Sequence, residues 1–249
     1  MSKQWVFIII ATILSVIILL LITELIFVKL SGSGVPTPTI SRLPQILGIG
    51  PKLTYVVMGD STSISQGSKY EKGFAAASAQ YLAKNYNVTF VNTGISGATA
   101  KDVLDKQLDM AITHKPDLVL LSVGANDATS FTSGQSIQDS MQNIIESLRR
   151  SNSKVHIIVT GSPAMDSVSR FPFVSKAIMR LRTYQVNKAF EKVIAKYNLT
   201  LAPIAQKTRA AFLADPTLTA ADNFHPNASG YALWIPVINE ALDKAIAAR

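Results

Sequence analysis

From Trp5 to Thr23 the chain runs nineteen residues without a charge, most of them Ile, Leu and Val. At 1.5 Å per residue a helix of that length covers about 28 Å, nearly the ~30 Å hydrocarbon core of a bilayer. The start of the chain and the remainder must therefore fold by different rules. Glu24 interrupts the apolar run, Leu25 to Val28 resume it, and Lys29 closes it, while Lys3 and Trp5 stand where interfacial anchors are common. Two readings compete: an uncleaved signal anchor, or a signal peptide with Lys3 as its basic start and Ser31-Gly32-Ser33 as small residues for cleavage. A cleaved signal has an apolar stretch of about 7 to 15 residues. This one is longer, which favours the anchor. The orienting charge bias is weak, because Lys3 and the amino terminus oppose Lys29 and Arg42. Either reading most simply exports the remainder, as a single-pass membrane protein with its domain outside the cytoplasm or, alternatively, as a secreted one.

Residues 31–52, SGSGVPTPTISRLPQILGIGPK, are rich in Gly, Pro, Ser and Thr and lack periodicity. They read as a spacer, extended around Pro36 and Pro38. The expected organisation is thus an anchor over 1–30, a linker over 31–52 and one globular domain over 53–249. The absence of cysteine excludes disulfides, thiolate zinc sites, iron–sulfur clusters and cysteine nucleophiles together. A net charge of +8 raises nucleic acid as a partner, but the basic residues are scattered and form no stripe. The charge is read instead as solubility and attraction to anionic surfaces.

Beyond residue 52, short apolar runs alternate with longer periodic segments. Strand-like runs cover Leu53 to Met58, Val88 to Val91, Leu118 to Val123, Val155 to Thr160 and Leu199 to Pro203. Between them, Ile137, Met141, Ile144, Ile145 and Leu148 follow helical spacing, with Ser136 as the expected N-cap. Val103, Leu104, Leu108, Ala111 and Ile112 form a second such pattern. Continuous apolar strands separated by amphipathic helices predict an α/β fold, a mainly parallel sheet of about five strands covered on both faces. Open sheets of this kind bind ligands beyond the carboxyl ends of their strands, so the polar residues there carry the functional reading.

The first strand ends in Gly59-Asp60-Ser61-Thr62-Ser63, the second in Asn92-Thr93-Gly94-Ile95-Ser96-Gly97, and the third in Gly124-Ala125-Asn126-Asp127. Asp222-Asn223-Phe224-His225-Pro226 precedes the last helical segment. These loops supply a nucleophile, a base, a group to orient the base and donors for an oxyanion. Each is weak alone: Gly-Asp-Ser suits a helix cap, Gly97 a turn, Asn126 a loop and His225 an ordinary surface.

Taken in order, the four blocks resemble those of the SGNH hydrolase superfamily, the GDSL esterases and lipases, over roughly residues 53–249. The resemblance implies Ser61 as nucleophile, His225 as base and Asp222 as its orienter. It also implies an oxyanion hole from the N–H groups of Ser61 and Gly97, with Gly94 the lesser candidate, and the side-chain amide of Asn126. No cofactor is implied, and no H-E-x-x-H spacing points to a catalytic metal. An imidazole with an ordinary pKa of about 6.5 suits the base's role, and an Asp three residues earlier can reach its other nitrogen. Asp60 and Asp127 are assigned to holding loops.

Other residues carry plainer readings. His156 falls within a strand, His114 at a helix C-terminus, and the Asn87, Asn198 and Asn227 glycosylation patterns read as chance matches. Phe171 and Phe173 either wall an apolar acyl pocket or pack a loop on the core. Lys176, Arg180 and Arg182 either face an anionic lipid or glycan polymer or are simply solvated. The expected substrate is a carboxylic ester, of a lipid or of an acylated glycan. Acyl transfer through the same acyl-enzyme and a tethered, non-catalytic binding module are the alternatives. The sequence leaves the oligomeric state open.

Overall fold

The computed structural model describes residues 2–30 and 34–248. Ser31-Gly32-Ser33, the residues considered for signal cleavage, lie outside the described residues. In chain order the elements are α1 (Lys3–Leu30), β1 (Gln45–Leu47), β2 (Lys52–Gly59), α2 (Phe74–Leu82), β3 (Asn87–Asn92), α3 (Ala100–Lys106), α4 (Leu108–Thr113), β4 (Leu118–Ser122), α5 (Ala125–Thr129) and α6 (Gly134–Ser151). They continue with β5 (His156–Val159), α7 (Phe173–Tyr197), β6 (Thr200–Leu201), α8 (Ile204–Ala214) and α9 (Ala228–Ala247).

The sheet runs β1-β3-β2-β4-β5-β6. β2 to β6, the five runs expected from the sequence, are mutually parallel. β1 is an antiparallel addition on β3, pairing Gln45 with Phe90. It falls inside the stretch expected to be a spacer. The physical reason is the open edge of β3, which a short strand covers. β2 has β3 on one side and β4 on the other, so the chain reverses its direction of winding there, and ligands of such sheets bind at that crevice.

Period-two alternation along the strands divides the core. Val56, Met58, Val119 and Leu121 pack with Ile137, Met141, Ile144 and Val186 on one face. Tyr55, Val57, Leu120 and Ile158 pack with Phe74, Ala79, Tyr231 and Trp234 on the other. All five periodic residues of α6 are buried, as their spacing predicts. Its N-cap, however, is Ser133 rather than Ser136. Ser133 Oγ accepts from the Ser136 N–H at 3.1 Å, so the helix begins one turn earlier. The helix expected over Val103 to Ile112 is two helices, broken at Gln107, whose φ of −122° leaves the helical region. Asn198 ends α7 in a left-handed conformation and Asn227 caps α9, so both have structural employment.

α1 is long and apolar enough to cross a membrane. Its side chains from Trp5 through Leu20 are exposed, so the core does not account for its composition. Only its last turns meet the domain, against the head of α7.

Candidate active site

β2 ends against β4, where the Gly59 backbone lies so close that a Cβ would sit 2.1 Å from the Ser122 carbonyl. A side chain there would part the strands. Asp60 N–H then donates to Ser122 O at 3.1 Å, and the chain turns sharply, Ser63 N–H returning to Asp60 O at 3.1 Å. Ser61 heads this turn at the crevice. Asp60 is buried and accepts from the Thr62 N–H at 2.9 Å and hydroxyl at 2.7 Å, holding the turn closed. Burial pushes its carboxyl pKa up.

His225 arrives from the loop before α9. Its Nε2 is 2.8 Å from Ser61 Oγ, and its Nδ1 is 2.5 Å from Asp222 Oδ2. The other Asp222 oxygen accepts the N–H groups of Phe224 and His225, both at 3.0 Å, so one carboxylate fixes the loop and the ring together. Burial acts to raise the Asp222 pKa, yet the bonds from the imidazole and the two backbone N–H groups outweigh it and hold the carboxyl below its ordinary range. All three residues are buried, His225 retaining 9% of its surface.

The oxyanion candidates Ser61, Gly97 and Asn126 line one cavity. Gly97 has φ of +81°, a left-handed conformation that favours glycine, with open space where a Cβ would be. Among the described residues no protein acceptor takes the N–H of Ser61 or of Gly97. Asn126 donates one amide hydrogen to Ala98 O at 3.0 Å, which orients the group and leaves its second hydrogen available. Gly94 is used differently: its N–H is bound by Asn92 Oδ1 at 3.0 Å, and it is not among the cavity's lining residues. Asp127 accepts the Ala100 N–H at 3.0 Å, joining α5 to α3.

Ser61, Gly97, Asn126 and His225 open into one cavity of about 570 Å³. Phe171 lines it, whereas Phe173 points to solvent, 87% exposed. Arg182 is half-buried: it donates to Thr132 O at 2.8 Å and lies over the Phe131 ring. Among the described residues no group of three or more His, Asp and Glu is placed to hold a metal ion.

Sequence reasoning missed two kinds of residue here. Gln107, fully buried, brackets Gly59 from a different helix pair, and nothing in its surroundings in the sequence signals that. Leu21, Glu24 and Val28 of α1 line the cavity. The one available signal was Glu24, a carboxylate within an apolar helix.

A doubly wound α/β sheet with a serine, histidine and aspartate in hydrogen-bonded series at its switch point is the architecture of the SGNH hydrolases. The chain belongs to the GDSL-like lipase/acylhydrolase family, whose profile matches residues 57–233. It is 26% identical over 198 residues to a GDSL-like esterase of Mycobacterium tuberculosis, covering 77% of this chain and 62% of that protein. It is 28% identical over 106 residues to esterase TesA of Pseudomonas aeruginosa, covering 42% of this chain and 53% of that one. The chain thus spans between half and two thirds of these relatives' length. Among solved structures, that of TesA superposes with a TM-score of 0.65 at 21% identity, covering 77% of this chain and 99% of that one. An extracellular lipase from Streptomyces rimosus gives 0.61 at 21% identity over 76% of this chain and 99% of its own.

Proposed function

We propose that the protein is a serine esterase, held in a membrane by α1 with its domain outside the cytoplasm, that hydrolyses a carboxylic ester. The observation that carries the reading is the unbroken series Ser61 Oγ, His225 and Asp222 at 2.8 and 2.5 Å. A serine hydroxyl is a poor nucleophile until a base takes its proton, and His225 Nε2 is within reach to do so. Ser61 Oγ attacks the ester carbonyl carbon while its proton passes to Nε2. The carbonyl oxygen becomes an anion facing the N–H groups of Ser61 and Gly97 and the amide of Asn126. The carbon–oxygen bond to the alcohol then breaks, and the proton on Nε2 goes to the departing oxygen. Water attacks the acyl-serine, gives its proton to Nε2, and the carboxylic acid leaves as that proton returns to Oγ. Asp222 fixes the imidazole tautomer throughout and stabilises the imidazolium.

Relatives named as esterases and lipases support ester hydrolysis. The length and apolarity of α1 support the membrane assignment. The test is turnover of p-nitrophenyl esters from acetate to palmitate by the purified protein and by Ser61→Ala. Serine-dependent release of p-nitrophenol supports the reading. A folded wild type with no activity above that of Ser61→Ala on any ester contradicts it.

A further inference from the structure

Glu24 is 7% exposed, although it belongs to the most apolar helix of the chain. Its two carboxylate oxygens accept the N–H groups of Val174 and Ser175 at 2.8 and 2.7 Å. These are the second and third residues of α7, whose N-cap, Pro172, offers no side-chain acceptor. The first N–H groups of a helix lack partners within it and favour a negative charge. Here they receive it from a residue some 150 positions earlier. In return, Arg170 Nε donates to the carbonyl of Val28, in the last turn of α1, at 3.3 Å. Each helix is capped by the segment that carries the other.

This mutual capping brings α1 to the catalytic loop. The Arg170 guanidinium lies over the Phe224 ring at 5.4 Å, and Phe224 meets the His225 ring edge-on at 5.0 Å. Leu21 and Val28, one helical turn to either side of Glu24, line the same cavity as Ser61 and His225, together with Ile178 and Met179 of α7. The residues before Glu24 already span about 30 Å as a helix. With α1 in the membrane as proposed above, the bilayer's edge falls near Glu24, whose carboxylate bonds Val174, the neighbour of the exposed Phe173.

We propose that α1 is a wall of the acyl subsite, in which Leu21 and Val28 select an ester whose chain is drawn from the bilayer. The proposal rests on the esterase reading above and deepens it. Burial of a methylene changes affinity about fourfold, so chain length is the quantity that an altered wall changes.

The chain has no cysteine, which allows a reversible test in the full-length protein. Leu21→Cys is reconstituted in vesicles of ether-linked phosphatidylcholine and treated with benzyl methanethiosulfonate. The readout is the ratio of p-nitrophenyl palmitate to p-nitrophenyl acetate turnover before treatment, after it, and after reduction. The ratio is expected to fall about tenfold or more and to recover on reduction, which also shows that the protein stayed folded. Ile13→Cys, exposed and remote from the cavity, is expected to keep its ratio under the same treatment. An unchanged ratio at Leu21→Cys, or an equal fall at Ile13→Cys, overturns the acyl-wall proposal while leaving the esterase reading standing. An inactive wild type overturns both.

Discussion

Gln107 grips Gly59 by both ends of its amide: Oε1 accepts the Gly59 N–H at 2.9 Å and Nε2 donates to the Gly59 carbonyl at 2.8 Å. Gly59 is the last residue of β2, two before Ser61. The break between α3 and α4 places Gln107 there, buried and without exposure. Gln107→Ala strands a buried N–H and empties the amide's space, at a cost of about 1 to 3 kcal/mol. Urea unfolding should show that loss. The rate of ester cleavage should also fall, because the turn carrying Ser61 loses its support.

Asp222→Asn should reduce kcat by about four orders of magnitude with little change in KM. The geometry forces the outcome. The oxygen that accepts the N–H groups of Phe224 and His225 must remain an oxygen, so the new NH2 faces His225 Nδ1. That nitrogen must then accept, and the proton sits on Nε2, where it cannot receive the serine's. Steady-state kinetics on one ester decides this. A loss below about tenfold would remove Asp222 from the series.

Asn126→Ala should lower kcat by about 10² to 10³ with KM nearly unchanged, as expected for a donor used mainly in the transition state. Its bond to Ala98 aims the amide but does not consume it. A change confined to KM would instead make Asn126 a ground-state contact.

Stability should fall as pH rises from 4 to 7, in part through Asp127. Burial pushes its carboxyl up to about 6, from an ordinary value of 3.8. The folded protein therefore keeps a proton that the unfolded chain has released. That contribution is complete below pH 3.8 and lost as pH rises through about 6, a span worth about 3 kcal/mol. Asp222, with its pKa lowered, acts the opposite way and only at lower pH. Across pH 4 to 7 the stability difference between wild type and Asp127→Asn should shift by about that amount in favour of the variant. Urea midpoints at the two pH values measure it.

Much of this was legible beforehand because the signals are local. Apolar runs bounded by turns located β2 to β6, and the residues after three of them, with the Asp222–His225 loop, are those found around the cavity. β1 was not legible, because three residues in a Gly- and Pro-rich stretch become a strand only when β3 offers an edge. Ser136 reads as the N-cap because it precedes the first apolar position, whereas the helix gains a turn from Ser133. Gln107 and the Glu24 to Ser175 contact depend on partners 48 and 151 positions away. Spacing along the chain carries no information about such pairs. Phe171 and Phe173, two residues apart, separate into cavity wall and solvent because α7 begins between them.

If Ser61 Oγ is the atom that attacks, as proposed, a fluorophosphonate labels it, and mass spectrometry after treatment reads the label. One phosphonyl adduct is expected on the peptide containing Ser61, formed in step with loss of esterase activity and absent from Ser61→Ala and from the wild type unfolded in urea. Full inactivation with the adduct on another residue, or no adduct in active protein, would contradict it.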